Sequence, residues 1–297
     1  MRNEQLNKKK VLFIVNPVSG KGKKEDIELQ VRENLDKSGF EFEIMESTHP
    51  GHAIELSKNA ADNGYQIVVA VGGDGTVNEV GQALVGTNTA LAIIPTGSGN
   101  GLARHLKIPF NVAKAIRIIN RCKIIKIDTG TLNEKAFLSV AGIGYDAYVA
   151  RKFAKAGKRG FSTYFRIVSR EYSMYRPRKY NISTDGTMIK RRALLITFAN
   201  SNQFGNNTSL DAEAVIDDGF IDVCIVKRIP FPFVPLYAPL LFLKKFHKTH
   251  YIEIIKAKSV TITRKKGRAV HLDGDPHKMG KRLEMKVNPL SLNIIVP

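Results

Sequence analysis

The chain of 297 residues has only two cysteines, Cys122 and Cys224, too few for a disulfide scaffold. Neither stands in a metal-ligand pattern, so both read as buried, reduced thiols. No apolar run reaches the roughly 18–20 residues that span a bilayer. The polar, basic stretch Met1–Lys10 is not followed by an apolar h-region, so no secretory signal is legible and a cytoplasmic protein is expected. Internal repeats and low-complexity segments are also missing. A hydrophobic fraction of 43% and a charged fraction of 25% exclude wholesale disorder. The length suits two ordinary domains or one large α/β domain.

Acidic residues are scarce: 27 Asp and Glu face 46 Lys and Arg, a net charge of +19. The excess is uneven. Residues 1–150 carry 18 basic and 16 acidic residues, whereas 151–192 carry 13 and 2. Residues 193–226 hold no basic residue and 5 acidic ones, and 227–286 hold 15 and 4. A nearly neutral front half therefore precedes a basic back half with an acidic island. Such a balance calls for an anionic partner: nucleotide, nucleic acid or lipid surface.

The front half alternates buried apolar runs with amphipathic stretches. Val11–Val15, Ile67–Val71 and Ala90–Ile94 read as strands covered on both faces, and Phe40–Met45 as a less buried one. Glu25–Lys37, Ala53–Ala61 and Thr76–Val85 read as helices. This βαβα order predicts a mostly parallel sheet, with ligands beyond the carboxyl ends of its strands. After about Asp128 the pattern changes to short strand-like runs: Phe137–Val140, Lys179–Thr184, Arg192–Ala199, Phe220–Val226, Ser259–Thr263 and Ala269–Leu272. Only Tyr145–Ala156 and Phe161–Met174 look helical there, and Asp185-Gly186 resembles a hairpin turn. A mainly antiparallel sandwich or barrel-like second domain follows. The expected boundaries are 1–128 and 129–285. Residues 286–297 form a C-terminal strand whose run Leu290–Val296 suits either domain, a return to the first being the reading taken.

Three Gly-rich segments follow predicted strands: Asn16–Lys23, Gly72–Thr76 and Pro95–Gly101. Glycine lets backbone approach a phosphate closely, and amides at a helix start donate to its oxygens. One such loop is often only a turn; three at the carboxyl ends of three buried strands point to nucleotide binding. Neither G-x-x-x-x-G-K-[ST] nor a G-x-G-x-x-G after the first strand occurs.

These segments resemble the catalytic motifs of the diacylglycerol kinase and sphingosine kinase family of lipid kinases, its bacterial diacylglycerol-kinase-like members in particular. The resemblance rests on Asn16-Pro17-Val18-Ser19-Gly20, on Gly72-Gly73-Asp74-Gly75-Thr76 with Asn78-Glu79, and on Thr96-Gly97-Ser98-Gly99-Asn100 with Leu102-Ala103-Arg104. Thr48–Ala53 is similar to the family's segment after the second strand. Asp211-Ala212 and Asp217–Val223 resemble its acidic loop, and His271-Leu272-Asp273-Gly274-Asp275 its late Asp-Gly-Glu segment, with Asp in place of Glu at 275.

The resemblance implies a first domain of NAD-kinase-like Rossmann type, a β-sandwich second domain and a nucleotide site in the interdomain cleft. It implies an ATP- and Mg²⁺-dependent transfer of phosphate to a lipid hydroxyl, the acceptor being diacylglycerol, a sphingoid base or a related lipid alcohol. Asn16, Pro17, Ser19, Gly20, Lys21, Thr48, Gly72, Gly73, Asp74, Gly75, Thr76, Asn78, Glu79, Thr96, Gly97 and Ser98 would form the nucleotide site. Asp74 would meet Mg²⁺ and phosphate, although capping the helix 76–85 suits it equally. Asp273 is the candidate general base, with Asp74 as the rival and Asp275 shorter than the family's residue. Asp218 with the carbonyls of Val215 and Phe220 would hold a structural Mg²⁺; an ordinary acidic turn is the alternative.

Ile229–Leu243 is apolar and broken by four prolines, between Lys227-Arg228 and Lys244-Lys245. It suits either docking on an anionic membrane or packing into the core. The expected partners are ATP, a lipid alcohol, the inner face of an anionic membrane as a peripheral surface, and a second copy of the chain as a homodimer. An NAD kinase-like phosphotransferase is the rival enzyme. A basic nucleic-acid-binding module is the rival of another class, but no recognition motif supports it, so no specific nucleic acid is expected.

Overall fold

The computed structural model describes residues 8–18, 24–157, 161–184, 186–204 and 207–297. The chain divides into two compact units, Met1–Ile127 with Leu290–Pro297, and Asp128–Pro289.

Unit one runs β1 (Lys9–Val15), α1 (Lys24–Asn34), β2 (Phe40–Glu46), α2 (His52–Asp62), β3 (Ile67–Gly72), α3 (Asp74–Leu84), β4 (Ala90–Pro95), α4 (Gly101–His105) and α5 (Val112–Arg121). The strands lie in the order β2-β1-β3-β4 and are parallel. Every residue of β3 and β4 is buried, as is β1 from Val11 onward, which is why these strands are apolar without alternation. The edge strand β2 keeps its glutamates in reach of solvent, and Tyr65 Oη donates to Glu43 at 2.6 Å.

The sequence reading contained no α5, although its signals are present. The Asn111 side chain accepts the Lys114 N–H as an N-cap, and Ala115, Ile116, Ile118 and Ile119 form the buried face. The helix ends at Cys122 in a left-handed conformation, with Lys9 Nζ 3.1 Å from its sulfur. Cys122 is therefore only half-buried, contrary to expectation. Cys224, in unit two, is wholly buried, and that burial pushes its thiol up.

β5 (Ile124–Leu132) carries the chain into unit two. There follow β6 (Lys135–Phe137), β7 (Val140–Gly144), α6 (Tyr145–Ala154), α7 (Phe161–Met174), β8 (Arg178–Thr184), β9 (Thr187–Ala193), β10 (Leu195–Ala199), β11 (Ile221–Val226), α8 (Val234–Tyr237) and α9 (Pro239–Phe242). The last elements are β12 (Ile252–Ala257), β13 (Ser259–Arg264), β14 (Arg268–Leu272), β15 (Asp275–Met279) and β16 (Arg282–Ile295). One sheet has the order β12-β11-β10-β7-β14-β15, antiparallel where paired. The other places β16-β13-β8-β9 side by side, with β5 on β16 and β6 on β5. Residues from both sheets, among them Phe137, Phe198, Ile262, Val270 and Leu283, make one dry core.

Two expected strands are each split. Phe137–Val140 breaks at Leu138-Ser139, and Arg192–Ala199 breaks at Leu194, because at both points the chain leaves one sheet and enters the other. Both flanking strands are apolar at such a crossing, so composition does not mark it. The β8–β9 hairpin closes at Thr184 opposite Thr187, with Gly186 at φ 76°; Asp185 lies outside the described residues. From Leu290 onward β16 belongs to unit one, where Ile294 lies parallel to Leu91 of β4. Among the described residues no helix is long and apolar enough to cross a membrane.

Candidate active site

Parallel strands end on one side, so β1, β3 and β4 deliver their loops side by side. Asn16 N donates to Val71 O at 3.0 Å and Thr96 N to Gly72 O at 2.9 Å, which aligns the three strand ends. Asn16 Nδ2 donates to the buried Thr76 Oγ1 at 3.0 Å, tying the first loop to α3. Glu79, one turn along α3, accepts the Gly51 N–H at 3.0 Å, while Thr48 N donates to His52 Nδ1 at 3.1 Å. The segment after β2 is thereby fastened to the same helix.

The second and third loops touch through bare backbone. A Cβ on Gly97 would stand 2.5 Å from Gly73 Cα, so no larger residue fits without separating them. Asp74 completes the join. It is the first residue of α3 rather than its cap; the N-cap is Gly73, and no side chain caps that helix. The Asp74 carboxylate instead accepts Asn100 N–H at 2.8 Å and Gly101 N–H at 2.6 Å, at the start of α4. Asn100 holds a left-handed φ of 56°, donates Nδ2 to Gly97 O at 2.6 Å, and leaves its buried Oδ1 without a hydrogen-bond partner. Arg104 Nε closes the loop on Gly99 O at 2.9 Å.

Among the described residues this arrangement leaves the start of α3 open. First-turn amides have no intrahelical acceptor, and the helix dipole favours an anion there. Among the described residues, apart from its chain neighbours and its own helix backbone, no atom lies within 4 Å of where a Cβ on Gly75 would be. Asn16, Gly72, Gly73, Asp74, Gly75, Thr76, Thr96 and Gly97 gather at this edge, and Thr48 and Glu79 lie on the linked segments. Asn78 sits on α3 with its Oδ1 accepting from Gln82 at 3.4 Å, while Pro17 and Ser98 are exposed. Ser19, Gly20 and Lys21 lie outside the described residues.

In unit two, Asp273 and Gly274 form the two-residue turn of the β14–β15 hairpin, both with positive φ (47° and 90°), as a type I′ turn requires. Asp273 folds back on the crossing between β6 and β7. Its carboxylate accepts the N–H groups of Leu138 at 2.7 Å and of Ser139 and Val140 at 2.8 Å. Asp275 opens β15 with its side chain 68% exposed, 3.2 Å from His277 Nε2.

Residues 10–132 match the diacylglycerol kinase catalytic domain, and residues 139–296 match the YegS C-terminal NAD kinase β-sandwich-like domain. The chain belongs to the diacylglycerol kinase family. That family is one of lipid kinases, and the chain is an enzyme of this class. It is 26% identical over 272 residues to a diacylglycerol kinase of Bacillus subtilis (strain 168), covering 90% of each chain. It is 28% identical over 265 residues to a probable lipid kinase YegS-like of Pseudomonas aeruginosa, covering 88% of this chain and 86% of that one. A crystal structure of a diacylglycerol kinase from Bacillus anthracis str. Sterne shares the fold, with a TM-score of 0.76 at 24% identity over 97% of both chains.

The family's acidic loop takes an unexpected form here. Asp218 accepts Phe220 N–H at 3.0 Å with one oxygen and meets Lys256 Nζ at 2.6 Å with the other. Val215 is exposed, and Asp128 holds the loop by accepting Gly219 N–H at 2.6 Å. A lysine ammonium thus meets the carboxylate that a cation shared with Val215 and Phe220 would need, so the two positive charges would compete for Asp218. Among the described residues no three His, Cys, Asp or Glu side chains gather into a metal-binding group.

Beside this loop, burial pushes the Asp222 carboxyl up to about 6, with Lys256 opposing the rise and Asp211 adding to it. The folded protein holds that proton more tightly than the unfolded chain. The contribution to stability is full below about pH 4 and is lost as pH rises through 6. Asp222→Asn should therefore melt at a higher temperature than wild type at pH 7.5 and at the same temperature at pH 4. Parallel melting curves at both values would show that Asp222 is not strained.

One buried pair escaped the sequence reading. His271 Nε2 lies 3.1 Å from Asp146 Oδ2, both nearly sealed from solvent, and Thr197 Oγ1 donates to the same oxygen at 3.2 Å. Gly274 N donates to His271 Nδ1 at 3.4 Å, which leaves the ring proton on Nε2 for Asp146. Gly142 runs beneath, and any side chain there would collide with both groups. The partners are 125 residues apart, so no local spacing marks them.

Proposed function

We propose that the chain transfers the γ-phosphate of ATP to the hydroxyl of a lipid alcohol, with diacylglycerol as the first acceptor to test. The observation that carries this reading is the joining of the second and third glycine loops by Asp74, beside an open, uncapped start of α3, in a member of this family. Amides of Gly75 and Thr76 would receive phosphate oxygens, and Asn16, Thr76 and Thr96 would orient the nucleotide. Mg²⁺ is bound through one or two carboxylates plus substrate phosphates, so a single Asp74 suits it; its chemistry there is to neutralise phosphate charge.

In the transfer, the lipid oxygen forms a bond to the γ-phosphorus while the bridging P–O bond breaks and ADP leaves. The hydroxyl proton passes to a carboxylate. Asp74, Asp273 and Asp275 are the candidates. Asp273 accepts three backbone amides, whereas Asp275 stands exposed at the same turn.

Access to lipid is supported by residues 231–243. Val234, Tyr237, Leu240 and Leu241 pack on the core, while Phe231, Leu236 and Leu243 are 66%, 65% and 61% exposed. The core-packing reading therefore holds for one face of the segment, and the other face is left to solvent. The exposed face, bracketed by Lys227-Arg228 and Lys244-Lys245, suits a peripheral stay on an anionic bilayer.

Purified chain with Mg-ATP should phosphorylate diacylglycerol, or another lipid alcohol of a panel, in mixed micelles, read by mass spectrometry. NADP formed from NAD with no phosphorylated lipid would overturn the reading. In the same experiment Phe231→Asp with Leu236→Asp should lower turnover on anionic vesicles and spare it on micelles. Equal turnover on vesicles would remove this segment from docking.

A further inference from the structure

Unit two contains a cavity of about 450 Å³ that the proposed reaction does not use. Among its lining residues are six cations, Arg151, Lys155, Arg178, Arg264, Arg268 and Lys278, and no Asp or Glu. Arg151 on α6 and Lys155 at its C-cap stand four residues apart, a like-charged spacing that gains nothing for the helix itself. The other four come from β8, β13, β14 and β15, so separate elements converge on one space.

Arg264 is the informative member. It is 9% exposed, and its guanidinium donates only to carbonyls: Gly280 O at 3.1 Å, and Arg268 O and Met279 O at 3.0 Å. Among the described residues no carboxylate makes an ion pair with it or with the other five cations. A buried charge is ordinarily paired, and this one is surrounded by charge of its own sign. Burial holds its guanidinium below its usual value, and Arg268 and Arg178 act in the same direction.

The remaining polar side chains are the phenols of Tyr148, Tyr175 and Tyr180 and the imidazole of His277, which meets Asp275 at 3.2 Å; Tyr148 Oη donates to Glu171 at 2.8 Å. Arg178 Nε donates to Tyr175 Oη at 3.0 Å, which leaves the phenol proton of Tyr175 to point elsewhere. Burial keeps the phenols of Tyr175 and Tyr180 protonated. A space lined by six guanidinium and ammonium groups, three phenols and one imidazole, with no carboxylate among its lining side chains, fits a ligand rich in acceptors that carries more than one negative charge. We propose that this cavity binds a phosphate monoester, carried either on a lipid headgroup or on a small soluble molecule. Guanidinium forks match phosphate oxygens in pairs, and the volume leaves room for a glycerol beside the phosphate.

The site is tested on the full chain by calorimetric titration with four probes: inorganic phosphate, glycerol 3-phosphate, a short-chain phosphatidic acid and the matching neutral diacylglycerol. No nucleotide is present and no turnover is read, so the result is independent of the kinase reading. Saturable binding of a phosphate-bearing probe is expected, weakened by about tenfold or more in Arg268→Gln with Lys278→Gln. Both side chains are exposed at the cavity, so the apo melting temperature should not move. Lys278→Gln alone serves if the double variant does not fold. Tighter binding of phosphatidic acid than of glycerol 3-phosphate assigns the lipid source; equal binding assigns the soluble one. No saturable binding of any phosphate probe, or equal affinity in wild type and variants, overturns the proposal.

Discussion

Asp74→Asn should lower turnover by about a thousandfold while unit one stays folded. Two losses combine. The amide lacks the charge that a magnesium–phosphate complex would meet. It also presents an NH₂ where Asp74 now accepts an N–H, so either Asn100 or Gly101 faces a donor and the entry to α4 loosens. Asp74→Glu separates these effects, since it restores the charge but its extra methylene displaces the carboxylate from the Asn100 and Gly101 amides. It should recover little turnover. The measurements are kcat with saturating diacylglycerol, the ATP concentration dependence, and a thermal melt of each variant. Activity within about threefold of wild type in Asp74→Asn, on a folded protein, would remove Asp74 from the machinery.

Asp273→Ala should destabilise unit two strongly. Three amides at the crossing between the sheets lose their acceptor, and no ladder partner replaces it. Charge-assisted bonds of this kind, partly exposed, sum to about 3 kcal/mol. In a unit of this size that is a fall of about 10 °C in Tm. Asp273→Asn keeps one oxygen, which can still accept Ser139 and Val140, and should lie between the two. The pair also decides the proton acceptor. If Asp273 takes the proton, Asp273→Asn loses activity at temperatures where it is folded. If the residue only shapes the turn, the asparagine variant keeps its activity, and a loss in Asp275→Asn then distinguishes Asp275 from Asp74 as the acceptor.

The fold was legible where burial writes itself into composition. Val11–Val15, Ile67–Val71 and Ala90–Ile94 are buried throughout, and nothing but a strand covered on both faces needs such runs. The sandwich was legible as a class, but its crossings at Leu138-Ser139 and Leu194 were not, since both sheets contribute to one core. The three glycine loops announced their strand ends. What Asp74 does with its carboxylate was hidden, because a helix-start aspartate reads as a cap for its own helix, while the amides it serves lie 26 and 27 residues on. Lys256 at Asp218 and His271 at Asp146 were hidden for the same reason. Partners chosen by tertiary folding leave no spacing to count.

The course of β16 has a consequence for how the molecule comes into being. Four parallel strands of unit one are complete once Pro95 has been made, yet the neighbour of β4 lies beyond Leu290. During synthesis β4 is an edge, wholly apolar, with unpaired backbone along one side. A pairing between residues 91 and 294 is also among the slowest kinds to form. The nascent first unit must therefore wait through the whole of the second with a sticky flank exposed, a stage at which a holding chaperone would matter more than for any later intermediate.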